Sequence, residues 1–234
     1  MSAIEIAQID WDKEELDDAQ GYNYEEHEAI QELAEEDVTA WRNSWHMDVE
    51  SSDKSMPIPK PIRSFEESKF PEDILQLIDS SRGGDFDNPT PIQSQGWPLI
   101  MTGKDVIGVA QTGSGKTLAF ILPGVMHIRL NTHQRENCPT AMVQAPTREL
   151  ARQIADETKK YGRSIKVGHS FGGEGRRSQE YALKTAQMVI GTPGRTMDHL
   201  SRVWHGSVIC THKFWIRVLL VVVARKVQLL KSVI

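Results

Sequence analysis

The sequence contains little cysteine and no long hydrophobic run. Its two cysteines, Cys138 and Cys210, form no CxxC pair and have no histidine at zinc-ligand spacing, so neither a disulfide framework nor a structural zinc site is indicated. The longest apolar run, residues 218–224, is far shorter than the ~20 residues that span a bilayer. The N-terminus lacks the basic start and apolar core of a secretory signal. These absences predict a soluble intracellular protein of the nucleus or cytoplasm, with no membrane contact.

Charge is distributed along the chain in three blocks. Residues 1–53 hold 17 acidic and 2 basic side chains, residues 54–200 hold 15 acidic and 19 basic ones, and residues 201–234 hold 6 basic and no acidic ones. The dense negative charge predicts a largely disordered acidic arm over residues 1–53. An apolar stripe within residues 25–45 leaves open a helix that docks on a protein partner or on the domain behind it.

A proline-rich segment follows the acidic arm. Pro57, Pro59 and Pro61 alternate with other residues, and such a run favours extended chain. The sequence therefore predicts a linker over residues 54–64.

Short apolar segments then alternate with helical ones from residue 65 to residue 200. Strands are predicted over residues 105–110, 140–146, 164–171 and 187–192, and helices over residues 117–130, 147–162 and 196–203. This alternation is typical of βαβ units around a parallel sheet. We therefore predict an α/β fold, a three-layer domain over residues 65–200 whose ligands bind at the carboxyl ends of its strands.

The octet AQTGSGKT, which begins at Ala110, follows one predicted strand and opens the next helix. In that setting a glycine-rich loop holds nucleotide phosphates, because Gly113 and Gly115 permit a tight turn of inward-pointing N–H groups and the helix N-terminus favours anions. Lys116 is predicted to reach the β and γ phosphates, and the Thr117 hydroxyl to ligate Mg²⁺. Ala110 departs from the generic pattern, which begins with glycine.

Four further segments surround this octet in a fixed order. They are FDNPTPIQSQGWP with Gln93, APTRELARQ with Arg148, a GG doublet, and TPGR ending at Arg195. With the octet they resemble the Q motif, phosphate loop, motif Ia, glycine doublet and motif Ib of DEAD-box RNA helicases, whose phosphate loop is usually written AxTGxGKT. The resemblance covers residues 65–200 and is strongest to the branch of Dbp-two and p-sixty-eight type helicases. It implies the N-terminal RecA-like domain of an ATP-dependent RNA helicase.

This resemblance implies roles for individual residues. The side-chain amide of Gln93 has the donors and acceptor that suit the Hoogsteen edge of adenine, and Lys116 is the catalytic residue of the phosphate loop. The implied ATP-binding residues are Phe65, Gln93, Gln111, Thr112, Gly113, Ser114, Gly115, Lys116 and Thr117, the last with Mg²⁺. The implied RNA-binding residues are Pro146, Thr147, Arg148, Gly172, Gly173, Thr192, Pro193, Gly194 and Arg195. Their contacts would go to the RNA backbone, so binding would tolerate many base sequences and weaken with salt.

One part of the family pattern is missing. Helicases of this family continue from TPGR into a strand that ends in Asp-Glu-Ala-Asp, whose carboxylates hold Mg²⁺ and activate water, but no Asp or Glu follows Asp198 here. The apolar strand predicted over residues 216–227 carries Val-Val-Ala-Arg from Val222 to Arg225 instead. Residues 201–234 are therefore a natural divergence of that strand, or unrelated sequence from an altered splice, a frameshift or an incomplete gene model. The shift in composition favours the second explanation.

The expected function follows from what is present and what is missing. The intact family hydrolyses ATP in response to RNA and unwinds short duplexes, so the resemblance implies an enzyme. This chain is expected to bind ATP with Mg²⁺ and RNA without hydrolysis, because the Asp-Glu-Ala-Asp end and the second RecA-like domain are missing and the fold is incomplete at its C-terminal end. A truncated isoform that binds without turnover and an unstable fragment are the alternatives.

Overall fold

A computed structural model of the chain describes residues 24–82, 88–130, 139–203, 218–222 and 230–232. The chain divides into two compact units. Of the described residues, those within 24–130, 160–162, 218–222 and 230–232 form the amino unit, and those within 139–159 and 163–203 form the central unit. Cys138 and Cys210, on which the disulfide and zinc predictions depend, lie outside the described residues.

Helices and strands alternate along most of the described chain. The helices are α1 (Glu28–Gln31), α2 (Glu35–Ser44), α3 (Glu72–Arg82), α4 (Pro91–Met101), α5 (Lys116–Leu130), α6 (Arg148–Tyr161), α7 (Arg176–Leu183) and α8 (Pro193–Val203), with a 3-10 turn at Glu66–Ser68. The strands are β1 (Val49–Ser51), β2 (Val106–Ala110), β3 (Ala141–Gln144), β4 (Val167–Ser170), β5 (Met188–Gly191), β6 (Val218–Val222) and β7 (Leu230–Ser232). This content confirms the predicted α/β class. No helix within the described ranges is long and apolar enough to cross a membrane.

The sheet of the amino unit is built around β2. Strand β6 runs parallel to β2, with Val218 opposite Val106 and Val222 opposite Ala110. Strand β1 runs parallel to β7, and β7 pairs antiparallel with β2 through Ile107, which gives the order β1-β7-β2-β6. The register therefore places the carboxyl ends of β2 and β6 side by side.

Trp97 in α4 joins three parts of the amino unit. Its side chain is fully buried, and the centroid of its ring lies 5.0 Å from that of Phe70 and 6.0 Å from that of Phe65. Its indole N–H donates to the Leu118 carbonyl of α5 at 3.1 Å. Because a buried indole N–H needs an acceptor, this contact fixes α4 against α5 while the two phenylalanine rings fix the segment before α3.

A parallel three-stranded sheet forms the core of the central unit. Its order is β3-β5-β4, and all four residues of β5 are buried. Gly191 at the end of β5 lies opposite Gln144 of β3 and Ser170 of β4, and a Cβ on Gly191 would collide with the Ser170 carbonyl. The three strands therefore end at one edge of the sheet, and the loops that follow them share that edge.

The largely disordered arm predicted over residues 1–53 stays a prediction, but the helix left open within residues 25–45 is present as two helices. The segment forms α1 and α2, because the Lys60 ammonium group binds the carbonyls of Gln31 and Leu33 at 3.1 and 2.7 Å and Ala34 is extended, with ψ of 148°. Side-chain capping of the last carbonyls of a helix is a common way of ending it.

Most later elements lie within a few residues of their predicted bounds. Helix α8 begins at Pro193, three residues before the predicted start, since proline is favoured at the first helical position. The Thr147 hydroxyl accepts a hydrogen bond from the Leu150 N–H at 3.3 Å, as expected of the cap of α6. The domain boundaries at residues 53, 64 and 200 stay predictions.

Replacement of Asp73 by Asn should lower the free energy of unfolding by about 0.5–1 kcal/mol, the usual range for a surface ion pair. Arg129 at the end of α5 donates to both oxygens of Asp73 in α3, at 3.1 and 2.6 Å, and this hydrogen bonding lowers the pKa of Asp73. The stabilisation is therefore present above the ordinary aspartate pKa and lost as the pH falls through the lowered value. Urea unfolding of both proteins at a series of pH values measures it.

The matched control is Asp156→Asn. Asp156 pairs with Lys159 on α6 through one contact at 3.3 Å, with both side chains more than half exposed. This replacement should have a smaller effect at every pH. If the two replacements lower the free energy of unfolding equally, the bidentate ion pair between Asp73 and Arg129 stabilises the protein no more than an ordinary exposed pair.

Candidate functional site

The phosphate loop, residues 111–115, connects the end of β2 to the start of α5. Gly113 and Gly115 both have φ of +80°, a backbone conformation that other residues adopt only with strain. Gln111 and Thr112 are exposed. The two glycines predicted for a phosphate-holding turn are therefore the residues at which this loop turns.

Lys116 lies at the base of the loop, as the first residue of α5. Its ammonium group donates to the Ala110 carbonyl at 2.7 Å and to the Gln111 carbonyl. The side chain is buried, and desolvation lowers its pKa. A partly desolvated cation satisfied by carbonyl oxygens alone has no opposite charge in these two contacts, so it is suited to receive an anion.

Two hydroxyl groups flank this lysine. The Ser114 hydroxyl is buried and has no hydrogen-bond partner in the described part of the chain, which is the environment of a group that a ligand completes. Thr117, the predicted Mg²⁺ ligand, is half-buried in the first turn of α5. The described residues contain no cluster of three His, Cys, Asp or Glu side chains that could hold a metal by themselves.

Gln93 lies against the phosphate loop. Its side-chain oxygen accepts a hydrogen bond from the Thr90 N–H at 3.1 Å, and its side-chain nitrogen donates to the Gly115 carbonyl at 3.0 Å. A Cβ on Gly115 would collide with that nitrogen. The structure thus brings the predicted adenine-selecting amide and the predicted phosphate loop together, two segments 22 residues apart.

Phe65 lies in the same unit but packs mainly in its core. The side chain is 8% exposed, and its ring contacts that of Trp97. Its predicted contact with adenine stays a prediction.

Strand β6 ends beside the start of the phosphate loop. Val222, its last residue, pairs with Ala110, the residue before the loop. The next residues in sequence are Val223, Ala224 and Arg225, whose structure lies outside the described ranges. Directly after β6 the sequence therefore has apolar and cationic side chains and no carboxylate of the kind that holds a metal.

A second group of predicted residues meets at the edge of the central sheet. Pro146, Thr147 and Arg148 follow β3 and are exposed. The Arg148 guanidinium lies over Gly172, where its carbon and two of its nitrogens come within 2.8–2.9 Å of the position that a Cβ would take. Gly173 has φ of +96°. Absence of a side chain at residue 172 is therefore what lets the guanidinium lie against the backbone of the loop after β4.

The segment after β5 reaches the same edge. The Thr192 N–H donates to the Ser170 carbonyl at 2.8 Å, Pro193 and Gly194 are exposed, and one terminal nitrogen of the Arg195 guanidinium is buried with no partner among the described residues. An orphaned guanidinium nitrogen beside exposed backbone is suited to a phosphate oxygen.

Sequence reasoning missed the residues that hold α8 at this edge. Gln144 donates to the Thr196 hydroxyl at 3.1 Å, and the Ser170 hydroxyl lies 3.0 Å from Nδ1 of His199. Burial lowers the pKa of His199, which favours the neutral ring. Gln144 and Ser170 lie at the carboxyl ends of predicted strands, and this position was the sequence feature that could have indicated a role at the edge of the sheet.

Comparisons with known proteins match the part of the chain that contains the phosphate loop and the edge of the central sheet. The family model described as DEAD/DEAH box helicase matches residues 90–223. The chain is 41% identical over 199 residues to "Probable ATP-dependent RNA helicase ddx17" of Dictyostelium discoideum, covering 83% of this chain and 24% of the relative. It is 40% identical over 201 residues to "ATP-dependent RNA helicase DBP2" of Eremothecium gossypii, covering 84% of this chain and 35% of the relative.

A solved structure supports the fold. The RNA-helicase Prp28 from Chaetomium thermophilum bound to ADP superposes with a TM-score of 0.66 at 24% identity, over 89% of this chain and 59% of that one. This likeness confirms the predicted RecA-like α/β fold, and the DBP2 and ddx17 relatives confirm the predicted branch. The chain spans about a quarter to a third of the length of these two curated relatives. Because the family model matches more than half of the 234 residues, the chain belongs to the DEAD/DEAH box helicase family.

Proposed function

We propose that this chain binds an adenine nucleotide at the phosphate loop and the backbone of single-stranded RNA at the edge of the central sheet, without hydrolysing the nucleotide. The observation that carries the proposal is the hydrogen bond from the Gln93 amide to the Gly115 carbonyl, 3.0 Å long. It joins a side chain able to select adenine to the loop that would hold the phosphates.

The nucleotide half of the proposal uses groups of the amino unit alone. The N–H groups of the phosphate loop and the Lys116 ammonium group would hold the phosphates, and Gln93 would hydrogen-bond the base. Magnesium would bind with the phosphates and take the Thr117 hydroxyl as its protein ligand. The ADP bound to the Prp28 structure and the family membership support adenine as the base.

The RNA half uses groups of the central unit. Arg148 and Arg195 would bind phosphate oxygens, while Gly173 and Gly194 let the RNA chain approach the protein backbone. Because these contacts reach phosphate and sugar, binding would depend on salt more than on base sequence.

Hydrolysis requires groups that this sequence does not provide. Attack on a γ-phosphate needs a carboxylate that holds the metal and another group that orients water, and the residues after Val222 offer neither. The relatives are ATP-dependent RNA helicases by name, and unwinding coupled to ATP is therefore proposed only for a longer protein with those groups. Nuclear or cytoplasmic residence, and a protein partner for the acidic arm, stay predictions.

Replacement of Lys116 by Ala should weaken ADP binding at least about tenfold, because a charge-assisted contact to phosphate is worth about 1.5–3 kcal/mol.

Gly115→Ala should weaken ADP binding more than Gly113→Ala. Both glycines have φ of +80°, so both replacements strain the backbone equally, but only the Cβ at residue 115 meets Gln93. Titration calorimetry with Mg·ADP measures all three.

The pair of glycine variants contains its own control. Equal losses at residues 113 and 115 would show that backbone strain alone matters and that the Gln93 contact has no part in binding. Unchanged binding in the Lys116 variant would remove the nucleotide site altogether.

Replacement of Gly172 by Ala should weaken the binding of single-stranded RNA several-fold with little loss of stability. The new Cβ displaces the flexible end of Arg148 and not the backbone. Loss of one phosphate contact should reduce the slope of log affinity against log salt by about 0.7. Fluorescence anisotropy of a labelled oligonucleotide over a salt series measures both quantities.

The matched control is Gly175→Ala in the same loop. Gly175 has φ of −59°, and its added Cβ would meet only the Ser178 hydroxyl, at 3.9 Å. It should bind RNA as the unmodified chain does. If Gly172→Ala leaves affinity and salt slope unchanged, Arg148 is not a phosphate contact.

Addition of RNA to the purified chain should not raise ATP hydrolysis above the rate without RNA. Phosphate release in the presence and absence of single-stranded RNA measures it. RNA-stimulated hydrolysis that disappears in the Lys116→Ala variant would contradict the proposal and require another source of the missing carboxylate.

A further inference from the structure

Helix α4 carries three consecutive polar side chains in its buried face. Gln93, Ser94 and Gln95 are all at most 3% exposed. Gln93 is directed to the phosphate loop, as described above, and the Ser94 hydroxyl donates to the Pro89 carbonyl just before the helix. The Ser94 backbone carbonyl and the Gln95 side chain bind a different part of the amino unit. Since buried polar groups require partners, the partners of Ser94 and Gln95 help to determine where α4 lies.

Pro98 creates the first of these contacts. It lies inside α4 and has no N–H, so the Ser94 carbonyl four residues earlier loses its helical donor. The Ile62 N–H takes that place at 3.0 Å, and Ile62 itself is fully buried. The proline-rich linker thus supplies the donor that Pro98 removes from the helix.

Arg42 makes the second set of contacts. From α2, its Nε donates to the Gln95 side-chain oxygen at 2.9 Å and its Nη2 to the Pro59 carbonyl at 3.1 Å. The Gln95 side-chain nitrogen donates to the same Pro59 carbonyl at 2.9 Å. Arg42, Gln95 and Pro59 form a closed triangle between α2, α4 and the linker, which uses both ends of the Gln95 amide.

The segment that presents Arg42 is itself anchored. Ile30 and Val38 of α1 and α2 are at most 2% exposed, and the Glu26 carboxylate accepts the Lys60 N–H at 2.8 Å. Lys60 in turn binds the carbonyls at the end of α1, as described above. The acidic segment therefore holds Arg42 through the packing of α1 and α2 and through hydrogen bonds of residues that precede α2 in the chain.

We propose that Arg42 is a positioning residue for the nucleotide site, which acts through Gln95 and the linker to hold α4 where Gln93 meets the phosphate loop. The inference rests on the proposed nucleotide binding. Without the guanidinium, the Gln95 oxygen would be buried without its donor, and α4 would move or re-pair to satisfy it. Gln93 is two residues away on the same helix and must follow that movement. The acidic segment thereby controls base selection from outside the Q motif and the phosphate loop.

The test measures base preference in the full chain. Arg42→Ala should weaken ADP binding by at least about fivefold, the lower end of coupling between distant sites. The ratio of GDP to ADP dissociation constants should fall towards that of Gln93→Ala. The double variant should show no further fall, because Arg42 acts through Gln93. Mg·ADP and Mg·GDP titrations on the four proteins provide these values.

Arg129→Ala is the matched control. It removes an arginine of the same unit that joins α3 to α5 through Asp73, so it should lower stability without changing the GDP to ADP ratio. If Arg42→Ala lowers the melting temperature and leaves the ratio at the unmodified value, its role is only structural and the inference is overturned.

A second variant covers failure of the first to fold. Gln95→Met keeps the side-chain volume but removes the two hydrogen bonds that Gln95 makes in the triangle, and it should lower the ratio as Arg42→Ala does. An unchanged ratio would overturn the inference. If the unmodified chain binds neither nucleotide, or binds ADP equally well after Lys116→Ala, the proposed nucleotide site fails, which is a different result from an intact site that ignores Arg42.

Discussion

The side-chain amide of Gln93 imposes one constraint on two segments of the amino unit. Its oxygen holds the Thr90 N–H at the start of α4, and its nitrogen holds the Gly115 carbonyl in the phosphate loop. A glutamine amide has a fixed separation between donor and acceptor. The distance between the start of α4 and the phosphate loop can therefore vary little. Whatever fixes α4 therefore also fixes the loop. In this chain that includes Trp97 on one side and the linker on the other.

The central unit fixes its candidate RNA edge differently. There the constraint is strand register, because Gln144, Gly191 and Ser170 stand opposite one another and the strands end together. Residues far apart in sequence meet because three loops leave one edge, as in other parallel sheets. Arg148 then depends on a missing side chain, that of Gly172, for its place. Side-chain hydrogen bonds act mainly on α8, through Gln144 and Ser170.

Local chemistry was the part that could be predicted from the sequence. Apolar periodicity located β2 and α5, and the requirement for positive φ located Gly113 and Gly115. The split of the acidic stripe into α1 and α2 could not be predicted, because it depends on Lys60, which lies nearly 30 residues further along the chain. The contact between Arg42 and Gln95 could not be predicted either, because it too joins distant segments. A lone arginine in an acidic segment has no local pattern that indicates contact with Gln95, 53 residues away. Pro98 shows that the Ser94 carbonyl needs a donor from elsewhere only once residues 91–101 are known to be helical.

In strand β6, backbone pairing determines the fold, whereas the side chains that follow the strand in sequence determine the chemistry. Its pairing with β2 is made by backbone groups, and an apolar sequence with high strand propensity is enough for it. The family model extends through residue 223, so the match includes this strand. The proposed lack of hydrolysis rests instead on the side chains that follow its last residue in sequence, which are valine, alanine and arginine. A strand can thus occupy the place next to the phosphate loop without bringing the carboxylates that hydrolysis requires. Fold and family membership support binding in this chain, whereas turnover has to be judged from those few residues.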